Sequence, residues 1–101
     1  MSGEDAVLAE QAKNHGNDLF AKKDFSGAIR QYNRALALDR SNAGFFCNRS
    51  AARLALKHEE WAVDDAVNAT RLEPSSNPKR WSRLGSALAA CERRIEAKQV
   101  Q

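Results

Sequence analysis

GNDLFAKKDFSGAIRQYNRALAL, residues 16–38, and SAARLALKHEEWAVDDAVNATRL, residues 50–72, decide the fold when read one above the other. With a shift of 34, Gly16 falls on Ser50, Ala28 on Ala62, Ile29 on Val63, Ala35 on Ala69 and Leu38 on Leu72. Small residues recur where two helices must approach closely, and aliphatic ones where the space between them must be filled. A third copy fits with one extra residue in the turn between Pro74 and Pro78. Gly85 then stands to Ala97 as Gly16 stands to Ala28 and Ser50 to Ala62.

The apolar spacing is helical throughout. Val7, Leu8, Gln11, Ala12, Leu19 and Phe20 predict a first helix from Ala6 to about Lys22, preceded by a polar, frayed segment at 1–5. Lys23 to Gly27 reads as a turn, with Asp24 or Ser26 as N-cap. Ala28, Ile29, Tyr32, Ala35, Leu36 and Leu38 mark a second helix, and Ser41 or Asn42 caps the next. Phe45, Phe46, Ala51, Ala52, Leu54, Ala55 and Leu56 mark a third. The polar run Lys57 to Glu60 interrupts the pattern before a fourth helix carrying Trp61, Ala62, Val63, Ala66, Val67, Ala69 and Leu72. Two prolines then flank a polar stop, and Pro78 suits the first turn of a fifth helix with Trp81, Leu84, Ala87, Leu88 and Cys91. Ile95 to Val100 begins a sixth. No stretch alternates as a strand does. The expectation is an all-α protein of antiparallel helix pairs joined by short turns.

Composition narrows the function. With 101 residues the chain is one domain, and 43% apolar with 29% charged residues is ordinary for a globular protein. A net charge of +3 permits an acidic partner but lacks the dense basic clusters of a nucleic-acid binder. No apolar run is long enough to span a membrane, and no leader pattern opens the chain. Cys47 and Cys91, like His15 and His58, are scattered without metal-ligand spacing, so no metal or cofactor is expected and both thiols read as reduced, in a cytoplasmic protein. There is no nucleophile–base set and no phosphate loop, so the reading is a binding module and not an enzyme. Asp64-Asp65 is expected to face solvent or a neighbouring arginine.

The periodicity, with Pro74 closing the second copy, resembles the tetratricopeptide repeat over about residues 9–101. The resemblance implies helix pairs stacked as a right-handed superhelix of about two and a half to three repeats, the first helix of each pair lining a concave face. The repeats would occupy about 9–42, 43–77 and 78–101, the last incomplete, within one domain at 6–101. Glu59, Arg94 and Arg53 stand where such repeats usually carry aromatic or large apolar residues, and Trp61 and Ile95 are expected to supply the bulk. A third repeat that stops inside its second helix leaves three readings open: a ragged apolar edge, self-association, or excision from something longer.

Five polar residues then fall on the concave side. Lys13 and Asn17 are four apart on the first helix, Lys79 and Arg83 four apart on the fifth, and Asn48 lies between on the third. A buried carboxylate needs several donors to offset its desolvation, at about 1.5–3 kcal/mol for each charge-assisted bond. Lysines supply point charge, arginine a planar fork, and asparagines directional N–H groups without added repulsion. A peptide ending in Asp presents two carboxylates close together, which this set suits. Taken singly each residue has a plainer explanation: Lys13 a solvated helix lysine, Asn17 a common residue of such repeats, Asn48 a cap, Lys79 and Arg83 a charged face. Arg49 is expected to pack or to pair with an acid of the adjoining helix.

Lys13-Asn14-His15-Gly16-Asn17, Asn48-Arg49-Ser50-Ala51-Ala52 and Lys79-Arg80-Trp81-Ser82-Arg83 also resemble the carboxylate-clamp repeats of chaperone adaptors. That resemblance implies a co-chaperone module that binds the C-terminal Glu-Glu-Val-Asp tail of 70-kDa or 90-kDa heat-shock chaperones through Lys13, Asn17, Asn48, Lys79 and Arg83. Phe20 either lines an apolar pocket for a ligand side chain or packs in the core, and Trp81 reads as core. Arg93, Arg94 and Lys98 make a small basic end. The alternative function is a structural scaffold that self-associates or holds another protein's helix in the groove.

Overall fold

The computed structural model describes residues 2–72, together with Ser82, Gly85, Ser86 and Ala89. Four helices run in order: α1 (Gly3–Ala21), α2 (Phe25–Leu38), α3 (Ala43–Ala55) and α4 (Glu59–Leu72). The expected fifth and sixth helices, the Pro74–Pro78 turn and the C-terminal edge lie outside the described residues, apart from those four positions.

The first three helices each start where a side chain satisfies a free backbone N–H. Ser2 accepts from the Asp5 N–H at 3.1 Å, so α1 begins at Gly3, earlier than the expected Ala6, with Glu4 and Asp5 complementing the dipole of its first turn. Of the alternatives at the later turns, Asp24 caps α2 through the Gly27 N–H (3.0 Å) and Asn42 caps α3 through the Phe45 N–H (3.2 Å). The first helix of each pair ends in the same way. Lys23 and Lys57, again 34 apart, take the left-handed conformation at φ 65° and 63°. The next residue's N–H then reaches back, from Asp24 to the Leu19 carbonyl and from His58 to that of Arg53. The break before α4 is shorter than the polar run suggested, because Glu59 and Glu60 already form its first turn.

α1 packs on α2, α3 on α4, and α2 on α3; α1 also touches α3. Among the described residues α2 and α4 make no such approach, so α1 and α3 share one side of the stack. The core is built largely of alanine, which lets helices lie close: Ala9, Ala12, Ala35 and Leu36 enclose Phe45, and Ala28, Tyr32 and Ala52 form a second cluster. Val7 and Leu8, expected among the apolar positions of α1, are instead exposed; Ala9, Ala12 and Gly16 carry its buried face.

Gly16 and Ser50 occupy equivalent places with different partners. A Cβ at Gly16 would lie 2.6 Å from Cε1 of Tyr32, whose ring is buried, so only glycine fits. One repeat later Tyr32 is replaced by Ala66, which leaves room for Ser50, fully buried with its hydroxyl donating to the Ala62 carbonyl at 2.7 Å.

Candidate functional site

The stacking brings Asn17 and Asn48 together. Asn48 Nδ2 donates to Asn17 Oδ1 across the α1–α3 approach in a long contact of 3.4 Å. The same oxygen accepts a much shorter bond, 2.6 Å, from the Tyr32 hydroxyl of α2. Asn17 is exposed and Asn48 partly so, leaving amide surface open on the α1–α3 side. Lys13 lies one turn before Asn17 on α1 and pairs with Glu10, a surface ion pair within the same helix. Lys79 and Arg83, and with them Trp81, lie outside the described residues. Phe20 is half-buried against the Ala28, Tyr32 and Ala52 cluster and meets the Phe25 ring edge-on at 5.1 Å.

The two arginines of α3 are committed elsewhere. Arg49 grips Asp65 of α4 with two bonds, 3.0 and 2.8 Å, and donates a third to Asn33 of α2 at 2.8 Å. Arg53, one turn on, donates to the same carboxylate at 2.8 Å. The expectation for Arg49 holds. Of the acidic pair, Asp64 faces solvent while Asp65 is almost fully buried beneath the two guanidiniums. Burial lowers the Arg53 pKa from its ordinary value, and Asp65 works against that fall. Arg53 thus replaces an apolar filler with an ion pair and spreads over the Trp61 ring at 5.5 Å. Trp61, expected to fill the gap, remains 58% exposed. Glu59 is buried at the head of α4.

Sequence reasoning missed Tyr32 as a member of the site. The signal was available: Tyr32 follows Asn17 by four turns' worth of chain folded back as a hairpin, and a buried phenol seeks a hydrogen-bond partner. Cys47 is a buried free thiol and Cys91 lies outside the described residues. Among the described residues no three His, Cys, Asp or Glu side chains gather as metal ligands, and no helix is long and apolar enough to cross a membrane.

Residues 16–56 match the family model described as TPR repeat. The second TPR domain of Spaghetti, solved with the HSP90 peptide SRMEEVD, superposes with a TM-score of 0.83 at 32% identity, over 95% of this chain and 88% of that one. The chain belongs to the tetratricopeptide-repeat family. The second TPR domain of human RPAP3, solved with the HSP70 peptide SGPTIEEVD, matches with a TM-score of 0.77 at 31% identity, over 95% of this chain and 77% of that one. Among curated relatives, the small glutamine-rich tetratricopeptide repeat-containing protein 2 of Mycosarcoma maydis is 38% identical over 95% of this chain. This TPR chain spans only 27% of that relative's length.

Proposed function

We propose that this chain is a non-catalytic, cytoplasmic co-chaperone module that binds the acidic C-terminal tail of 70-kDa or 90-kDa heat-shock chaperones. Lys13, Asn17, Asn48, Lys79 and Arg83 are the clamp for the terminal carboxylates, within one repeat domain at 6–101 whose third repeat is incomplete. The observation that carries the reading is the meeting of Asn17 and Asn48, 31 residues apart in sequence, across two helices. Both amides stay accessible there, one turn from Lys13, while Arg49 and Arg53 are held by Asp65. Two related domains solved with peptides ending in EEVD support the choice of ligand.

The test is a titration with a Glu-Glu-Val-Asp peptide and its C-terminally amidated twin. The free acid should bind with a Kd on the order of micromolar, about −8 kcal/mol, because two carboxylates with little apolar area go no further once ordering is subtracted. Lys13→Ala and Arg83→Ala should each remove much of that affinity while leaving helicity intact. Equal binding of the two peptides would overturn the assignment.

A further inference from the structure

We propose that Tyr32 is a positioning residue for this site, its hydroxyl holding the Asn17 amide so that the N–H groups face the ligand. This deepens the carboxylate-clamp reading and rests on it.

An asparagine amide has an acceptor end and a donor end, and a carboxylate can be gripped only by the donor end. Asn17 is exposed and close to isosteric about that flip, so something must choose between the two orientations. The Tyr32 hydroxyl lies 2.6 Å from Asn17 Oδ1, and Asn48 Nδ2 lies 3.4 Å from the same oxygen. A phenol donates or accepts, but Asn48 turned with its own N–H groups toward an anion offers Asn17 only a donor. With an anion in the groove, the consistent chain runs from hydroxyl to amide oxygen and from amide N–H to carboxylate, each bond polarising the next.

The phenol is fixed in place. Tyr32 is 1% exposed, and its ring lies against Gly16, where no Cβ fits. Burial raises its pKa to about 12, so it keeps its proton at neutral pH. The second repeat carries neither part of the device: the positions 34 residues on from Asn17 and Tyr32 are Ala51 and Ala66. The scaffold therefore stacks without a hydroxyl at this place, and the tyrosine accompanies the asparagine it orients.

Tyr32→Phe keeps the ring and removes only the donor. Binding of the Glu-Glu-Val-Asp peptide and its amidated twin would be measured for the natural protein, Tyr32→Phe, Asn17→Ala and the double variant, with thermal unfolding followed alongside. Tyr32→Phe should weaken the free-acid peptide about fivefold, the value of one hydrogen bond, and leave the amidated twin unchanged. In the Asn17→Ala background the same change should weaken binding no further, an outcome that a general loss of packing would not produce. Unchanged free-acid binding by Tyr32→Phe, or an equal loss in both backgrounds, overturns the positioning role. If the natural protein binds both peptides alike, the clamp reading itself fails, which is a separate result.

Discussion

Tyr32 joins the core to the groove through one oxygen atom. Its ring fills the space that Gly16 leaves, and its hydroxyl ends beneath an exposed amide. Burial favours the neutral phenol, raising its pKa from 10.0 to about 12. In the unfolded chain the phenol ionises near its ordinary value. This contribution to stability is therefore complete below pH 10 and is lost as pH rises from 10 to about 12. Tyr32 is the chain's single tyrosine, so tyrosinate absorbance reports it alone. The titration of the folded protein should be displaced to the alkaline side of free tyrosine. The stability advantage of the natural protein over Tyr32→Phe should fall by about 2–3 kcal/mol across that window, measured by denaturant melts at each pH.

At the scale of elements, the two helix stops at Lys23 and Lys57 carry side chains in a conformation that suits glycine. The strain in each is tolerated because the helix end behind it is closed by the returning N–H of Asp24 or His58. Lys23→Gly and Lys57→Gly should each stabilise the protein by about 1 kcal/mol, read as a rise in denaturation midpoint without change of slope. The α3–α4 contact depends on a charge instead. Asp65 is 1% exposed and answers both Arg49 and Arg53. Asp65→Ala leaves two partly buried guanidiniums without their anion and should cost about 3–5 kcal/mol, whereas Asp64→Ala, on the solvent side, should stay within about 0.5 kcal/mol. Urea melts of the two variants side by side check the contrast. The sequence suggested solvent or a neighbouring arginine for this acidic pair, and helical spacing separates the two: Asp65 lies on the stripe of Ala62, Ala66 and Ala69, and Asp64 does not. Which arginines meet Asp65 depends on how α4 packs on α3.

For the molecule as a whole, ligand binding at the proposed clamp competes with the chain's own anions. Lys13 is engaged by Glu10, and both lie near the surface, with side chains 25% and 53% exposed. Such a pair is weak, at most about 1 kcal/mol, but an arriving carboxylate has to displace it. Glu10→Gln should tighten binding of the Glu-Glu-Val-Asp peptide about two- to fivefold, and added salt should shrink that gain, as titrations at two ionic strengths would reveal. The repeat, the helix pairs and the placement of Lys13 with Asn17 were legible along the chain, because helical periodicity and i,i+4 spacing are local properties. The 34-residue recurrence of small side chains is read in the same local way, whereas the caps of α2 and α3 were narrowed to two candidates each and Ser2 was missed within a segment read as frayed. Which polar groups remain open follows from packing between helices. Stacking α3 beside both α1 and α4 brings Asn48 to Asn17 while burying Asp65 between Arg49 and Arg53. Folding α2 back on α1 carries a core phenol to the underside of a groove amide. Those pairings follow from how helices roll and cross, and side chains distant in sequence acquire partners only when that geometry is set.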